Sequence, residues 1–228
     1  MKLHRPADTR GTSRHGTRTR LCTFSSGDYH DADWMGFGAL RQLNEERLPA
    51  GTTVPAQRVA NMELLTLVLD GTLRRDGVAL EAGTLAWTGA GHASDTPVEE
   101  TGSAEARVLR IALQPDRVNL PPADGVQRMA PDADGAWTLR ASPDIGTDAL
   151  PVRQQAWLRH ATLAPGACLD LKLESTRRHW LQILRGETIV DDHTLATGDA
   201  LGWQDEAVDT AIVAGPQGAT LLLFTLPG

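Results

Sequence analysis

Short apolar runs alternate with turn residues along most of the chain. Residues 62–69 form an apolar-rich run that ends at Asp70-Gly71, and residues 180–184 form another that ends at Arg185-Gly186. Runs of this length, with a glycine-bearing turn about every 8–12 residues, predict an antiparallel β-sandwich or β-barrel. Side chains alternate between the faces of a strand, so one alternating set of the first run should fill the interior. The two sets are Leu65, Leu67 and Leu69, and Leu64, Thr66 and Val68.

The chain matches itself at one fixed offset. LPAG at 48–51 recurs as LAPG at 163–166, LDG at 69–71 as LRG at 184–186, and LEAG at 80–83 as LATG at 195–198. The members of each pair are 115 residues apart (163 minus 48) and keep the same order. Several matches at a single offset predict an internal duplication. A tight turn, Asp76-Gly77 or Asp191-Asp192, is expected within each copy.

The segment between the copies has a different composition. Proline, aspartate and glycine interleave through residues 114–149, which predicts a long connection that holds a short strand at 136–140. We therefore divide the chain into an N-terminal barrel with an N-terminal arm (1–113), this linker (114–149) and a C-terminal barrel (150–228).

Charge and composition exclude several classes of protein. The net charge is −7, which gives no general attraction to nucleic acid or to anionic membranes. The first twenty residues are basic, but we interpret them as a solvated or strand-paired terminus and expect no direct nucleic-acid binding. The two cysteines are far apart in the sequence, and the chain does not begin with an apolar leader. It also has no run of the roughly 18 apolar residues that a membrane span needs. These features predict a cytoplasmic protein.

Several ordered motifs resemble the pirin family of the cupin superfamily, and most closely its bacterial, quercetinase-like branch. They are TFS at 23–25, GDYHD at 27–31, MGFGALR at 35–41, NEER at 44–47, ME at 62–63, LQILRG at 181–186, GD at 198–199 and LLLFTLP at 221–227. The resemblance covers nearly the whole chain. It implies a bicupin fold, in which two antiparallel β-barrels of the double-stranded β-helix or jelly-roll type face one another and the N-terminal barrel carries the pocket.

In the pirins that pocket binds a metal, usually iron, through three histidines and one glutamate. The matching positions here are Gln57, Val59, Thr96 and Val98. Transition metals need several imidazole, carboxylate or thiolate donors at once, and these four side chains supply none of them. We therefore expect a degenerate metal site and no metal cofactor.

Other polar residues near the implied pocket are candidates for chemistry. Glu63 could act as a general base, but pairing with an arginine such as Arg41 or Arg58 is the favoured interpretation. His92 and Asp95 share one loop and could form an acid–base pair, although exposed loop polarity is favoured. His30 is interpreted as a turn residue. The histidines of the second copy are interpreted as structural; they are His160, His179 and His193.

Three functions remain open. The favoured one is a non-catalytic pirin homologue that binds an unknown small molecule or protein partner in a regulatory role, as the resemblance to a family linked to transcriptional co-regulation implies. The first alternative is a metal-dependent oxygenase that resembles quercetin 2,3-dioxygenase. The second is a metal-independent cupin isomerase that works by side-chain acid–base chemistry. Fold alone does not decide among them.

Overall fold

Strands make up most of the structure. The computed structural model describes residues 1–129, 135–144 and 146–228. The strands are β1 (Lys2–Arg5), β2 (Gly11–His15), β3 (Arg18–Cys22), β4 (Leu40–Leu48), β5 (Thr53–Val54), β6 (Arg58–Val59), β7 (Glu63–Asp70), β8 (Thr72–Arg75), β9 (Val78–Glu81), β10 (Thr84–Gly89), β11 (Ser94–Asp95), β12 (Glu99–Thr101), β13 (Ala106–Leu113), β14 (Ala123–Arg128), β15 (Thr138–Ser142), β16 (Leu150–Pro151), β17 (Trp157–Leu163), β18 (Cys168–Leu173), β19 (Arg177–Val190), β20 (His193–Ala196), β21 (Ala200–Trp203) and β22 (Val208–Pro227).

The all-β prediction is confirmed, since strand accounts for 60% of the residues and helix for 1%. A short 3₁₀ turn lies at Ala7–Thr9. In the part of the chain that the structure describes, no helix has the length and apolar character needed to cross a membrane.

The first compact unit comprises Gly11–Ala130 and Leu150–Gln154. Its larger sheet is antiparallel and has the strand order β14-β10-β7-β13-β4-β3-β2. A smaller antiparallel sheet has the order β5-β12-β8-β9, and β6 pairs with β11. The longer strands thus form the main sheet of this unit. The predicted site residues lie on or next to the short strands β6, β11 and β12.

Apolar side chains of both sheets pack together inside the first unit. The buried cluster consists of Leu48, Val68, Leu73, Leu80, Ala86 and Val108, with Val54 against it. Val68 belongs to the alternating set that also holds Leu64 and Thr66, and this set contributes to the buried cluster. The opposite set is not solvent-exposed either, because Leu65 and Leu67 are buried as well.

The second compact unit comprises Met1–Arg10, Pro131–Ala149 and Gln155–Gly228. Its strands follow the order β1-β21-β19-β22-β17-β15, with β18 on β22 and β20 on β19. The core of this unit includes Leu171, Leu181, Trp203 and Leu221, none of which is accessible to solvent.

The first ten residues lie in the second unit, which differs from the prediction that assigned the N-terminal arm to the first barrel. β1 runs antiparallel to β21, with Arg5 opposite Ala200. The backbone N–H of Ala7 donates to Asp199 Oδ1 at 2.7 Å. These bonds complete an open sheet edge, which is a strong reason for a terminal strand to pair there. The alternative of a strand-paired basic terminus is therefore the one that the structure contains.

Strand positions repeat at the predicted offset of 115. β9 and β20 begin at Val78 and His193 and close equivalent two-residue hairpins. The turns are Asp76-Gly77 and Asp191-Asp192, as predicted. Asp76 and Gly77 have φ angles of 47° and 82°, the left-handed conformation that a tight hairpin requires.

The predicted linker contributes strands to both units, which corrects its description as a connection holding one short strand. The strand expected at 136–140 is observed at Thr138–Ser142 and pairs with β17. β14 was not predicted, because Asp124-Gly125 resembles a turn. Pairing with β10 overrides that local preference, and a Cβ at Gly125 would lie 3.2 Å from Leu150 Cδ2. Residues 130–134 and 145 of the linker lie outside the described residues.

Candidate functional site

Three of the four predicted metal-site positions come together in the first unit. β6 pairs with β11, which places Val59 opposite Ser94. Just outside this pair, the backbone N–H of Gln57 donates to Thr96 Oγ1 at 3.0 Å, and the N–H of Thr96 donates to the Gln57 carbonyl at 2.9 Å. Gln57, Val59 and Thr96 all line one cavity of about 350 Å³. These three positions therefore lie together at one cavity.

Val98 does not line this cavity and is 38% exposed, which corrects its assignment to the pocket. Both backbone polar groups of Val98 bond to Asp76, the N–H to Oδ1 and the carbonyl to the N–H, at 2.9 Å each. β12 begins at the next residue, and its inward-facing side chains are those of Glu99 and Thr101. The change of alternation at Pro97 turns Val98 outward and Glu99 inward. The inward-facing position is therefore Glu99, one residue beyond the position that the family spacing indicated.

The other polar candidates lie outside the cavity. His92 and His30 are exposed, and neither lines it. Asp95 is also exposed and lies 3.5 Å from Arg58 Nη1. The structure thus favours surface polarity over an acid–base pair of His92 with Asp95.

Glu63 is completely buried and fully engaged, also outside this cavity. Its Oε2 accepts from Trp87 Nε1 at 2.8 Å and from the backbone N–H of Arg153 at 3.1 Å. Its Oε1 accepts from Nε and Nη2 of Arg153 at 2.9 and 2.7 Å. The predicted pairing with an arginine is correct, but the partner is Arg153 and not Arg41 or Arg58. A carboxylate whose two oxygens are held by four donors serves structure.

A carboxylate surrounded by arginines forms one wall of the cavity. Glu46 on β4 has a side chain only 2% exposed. Its Oε1 lies 3.2 Å from Arg18 Nη1 and 3.4 Å from Arg20 Nη2, and its Oε2 lies 3.1 Å from Arg110 Nε. Burial by itself would raise the pKa of Glu46. The guanidinium groups outweigh burial, Arg110 most, and hold the pKa of this carboxyl below its ordinary value.

Arg110 connects this carboxylate to a second one. Its Nη1 donates to Glu99 Oε1 at 2.9 Å and to Thr66 Oγ1 at 3.0 Å, and its Nη2 lies 2.5 Å from Glu99 Oε2. Burial opposes the charge on Arg110, but Glu99 and Glu46 more than compensate and raise the pKa of its guanidinium. Arg110 therefore joins Glu46 and Glu99 in one buried network of ion pairs.

Arg75 is a fourth arginine in the cavity lining. Arg75 lies on β8, directly opposite Glu99 of β12 in the sheet. Its Nη2 donates to Thr88 Oγ1. Burial lowers the pKa of the Arg75 guanidinium because the attraction of Glu99 only partly offsets the loss of water. An arginine nonetheless remains protonated at any physiological pH.

The charged lining carries an excess of positive charge. Its ionisable members are four arginines and two glutamates, a formal sum of +2 in a chain whose net charge is −7. They are Arg18, Arg20, Arg75, Arg110, Glu46 and Glu99. The rest of the wall includes apolar side chains such as Val54, Val59, Met62, Leu64 and Ile111.

The side chains present do not fit a transition metal. Gln57 offers a neutral amide, Thr96 a hydroxyl and Val59 no donor. A transition metal needs imidazole, carboxylate or thiolate groups, and these three residues supply none. The carboxylates of Glu46 and Glu99 are saturated by arginine, whose charge repels a cation. Over the described residues, no group of three or more His, Cys, Asp or Glu side chains could hold a metal ion.

Sequence reasoning missed this arginine–glutamate network. A signal was present, because Gln42, Asn44 and Glu46 alternate along β4 and all face the cavity, as do Arg18 and Arg20 along β3. Polar residues with a period of two on the inward face of a strand indicate a polar interior.

The histidines of the second unit agree with a structural role. His179 is buried, and its Nε2 lies 3.1 Å from the Glu174 carbonyl. Burial lowers the pKa of His179, so its neutral form prevails near neutral pH. His160 is buried within β17, and His193 begins β20 beside Asp192.

Comparisons with known proteins agree with the fold. A sequence profile of the quercetinase C-terminal cupin domain matches residues 139–226. The chain is 30% identical to Pirin-like protein YhaK of Escherichia coli K12, with 100% of both chains covered. It is 28% identical to a quercetin 2,3-dioxygenase of the same organism, covering 98% of this chain and 97% of that one. The crystal structure of the bacterial pirin YhhW from Escherichia coli in complex with nickel(II) superposes with a TM-score of 0.90 at 28% identity, covering 100% of this chain and 99% of that one.

Proposed function

The chain belongs to the pirin family, and from this premise we propose that it is a bicupin that has lost the family's metal site and binds a small molecule or a protein partner without catalysis. The observation that carries the proposal is the donor set of the first unit. At the positions where the resemblance places metal ligands, Gln57, Val59 and Thr96 line the cavity and Val98 points away from it. Two jelly-roll barrels, one per unit, are part of this proposal.

The arginine network gives the proposal its physical basis. A divalent cation would have to displace Arg110 from Glu99 or Glu46, and each displaced guanidinium would lose a buried ionic partner. Breaking a buried ion pair costs about 3–5 kcal/mol. The amide and hydroxyl oxygens that remain could not repay this cost, because transition metals bind such neutral oxygens weakly.

A quercetin 2,3-dioxygenase activity is the second candidate, and the relatives that carry this name favour it. That activity would need a metal held by Glu99 together with donors recruited from elsewhere. A metal-independent isomerase would need an acid or base in the cavity that is not already paired. Both of its carboxylates, Glu46 and Glu99, are engaged by arginines.

The experiment that tests the proposal is an oxygen-uptake assay with quercetin. The purified protein is incubated separately with iron, nickel, manganese and zinc, and the Escherichia coli quercetin 2,3-dioxygenase serves as the positive control. We expect no uptake above the metal-only background. Turnover that accompanies one bound metal ion per chain would overturn the proposal and establish the dioxygenase.

A cytoplasmic location is part of the same proposal. Cys22 and Cys168 are both thiols, not joined by a disulfide. Proteins of oxidising compartments more often pair their cysteines.

A further inference from the structure

We propose that the cavity of the first unit binds a small organic anion, a carboxylate on an apolar body, at the arginines that line it. This inference deepens the proposed function, because it names the class of ligand for the same site. It rests on the charge of the lining, on guanidinium donors that the protein itself does not use, and on an apolar wall.

The charge of the lining selects the sign of the ligand. The formal sum of +2 is concentrated in a concave site of about 350 Å³, whereas the chain as a whole carries −7. A concave site with low-dielectric walls focuses such a potential and attracts ions of opposite sign. The same potential opposes a cation, so the anionic ligand and the absence of a metal site share one physical cause.

Arg18 and Arg20 have donors to spare. Each reaches Glu46 Oε1 through one terminal nitrogen, at 3.2 and 3.4 Å, and the two share that single oxygen. A guanidinium has five N–H donors in a planar fork that matches a carboxylate. Arg20 Nε is buried and, among the described residues, has no hydrogen-bond partner. Such a donor is costly to leave unpaired.

Arg75 supplies the third site of positive charge. Its Nε is buried and likewise lacks a partner within the described part of the chain. Glu99, Asp124 and Asp76 attract this charge, but Glu99 bonds directly to Arg110. A carboxylate near Arg75 would therefore gain an ionic partner without displacing an existing one.

The apolar wall selects the body of the ligand. Val59, Met62, Leu64 and Ile111 line the same cavity as the arginines. Inorganic anions would leave this surface wetted, whereas an aromatic or aliphatic carboxylate would bury it. The volume is within the range of pockets that take small organic ligands.

The test uses benzoate, with benzamide as its neutral counterpart of the same shape. Binding is measured by calorimetry or by ligand-observed NMR titration of the whole chain at low ionic strength. We expect benzoate to bind at least about tenfold more tightly than benzamide, because a charge-assisted bond to arginine is roughly twice as strong as a neutral one. Added sodium chloride should weaken benzoate binding and leave benzamide unchanged.

Adjacent residues of β8 provide matched variants. Arg75→Gln removes a cavity arginine, whereas Arg74→Gln removes the exposed arginine next to it, whose side chain bonds to the Gly77 carbonyl. Arg75→Gln should weaken benzoate binding about tenfold, and Arg74→Gln should change it less than about twofold. Arg20→Gln is a second cavity variant. In this variant Glu46 still pairs with Arg18 and Arg110. Far-ultraviolet circular dichroism confirms that each variant is folded.

Three results would overturn the inference. They are equal affinities for benzoate and benzamide, equal effects of Arg74→Gln and Arg75→Gln, and phosphate binding as tightly as benzoate. If none of the probes binds and no metal is taken up, the anion inference fails while the metal-free proposal stands. Stoichiometric metal would instead defeat the proposed function.

Discussion

Replacement of Glu63 by glutamine isolates the role of the most deeply buried carboxylate in the first unit. The substitution preserves shape and removes only the charge and one acceptor. Glu63 is 0% exposed and accepts four hydrogen bonds, two on each oxygen. The introduced amide can accept with one oxygen only. Its NH₂ group must face either the Trp87 indole and the Arg153 backbone N–H, or the Arg153 guanidinium.

In both orientations two donors lose their acceptor. Each buried, unsatisfied donor costs about 1–3 kcal/mol. The Arg153 side chain is 18% exposed, so water can recover part of the loss. We therefore expect Glu63→Gln to lower the free energy of unfolding by about 2–4 kcal/mol.

Guanidinium unfolding, followed by tryptophan fluorescence and by circular dichroism, measures the change. Glu81→Gln is the control, since Glu81 pairs with Arg128 at a similar distance of 2.9 Å but both side chains are mostly exposed. That variant should lose about 0.5 kcal/mol or less. If both variants unfold at the same denaturant concentration, Glu63 does not hold Arg153 as described. The structural role assigned to Glu63 would then be refuted.

Two further predictions concern stability. Because the pKa of Glu46 is lowered in the folded state, its contribution to the free energy of unfolding should be complete above the ordinary pKa of 4.5 and lost as the pH falls through the folded-state pKa. The unfolding midpoints of the native protein and of Glu46→Gln should therefore converge on acidification. A difference between the midpoints that does not change with pH would contradict this. Gly71→Ala should cost about 2 kcal/mol or more, since φ is 76° and the new Cβ would clash with the Glu105 carbonyl. Gly77→Ala, at φ 82° with open space around it, should cost only about 1 kcal/mol, so equal thermal shifts would argue against the close approach at Gly71.

The architecture was predictable where local and repeated signals agree. The hairpins at Asp76-Gly77 and Asp191-Asp192 follow from turn chemistry, and the 115-residue offset located their counterparts. β14 was not predictable in this way, because it is an edge strand with an internal Asp-Gly pair. It becomes a strand only through its pairing with β10. Pairing of β1 with β21 joins residues about two hundred positions apart, and no local pattern encodes it.

The site was predictable in place and only partly in content. Family spacing located Gln57, Val59 and Thr96 at the cavity. It failed at Val98, because a change of strand alternation at Pro97 depends on the backbone pairing of Val98 with Asp76. The cavity arginines come from β3, β8 and β13, which are distant in sequence. Only the three-dimensional pairing of those strands brings their charges to one place.

The central proposal is that the first unit holds no metal, because Gln57, Val59 and Thr96 offer no metal-binding group and arginine pairs with the nearby Glu46 and Glu99. Elemental analysis of the purified chain, after incubation with nickel or iron and removal of unbound metal, tests it most directly. The bacterial pirin YhhW, whose crystal structure contains nickel(II), is the positive control. We expect metal far below one ion per chain in this protein and close to one per chain in the control. One ion per chain, lost on Glu99→Gln, would contradict it.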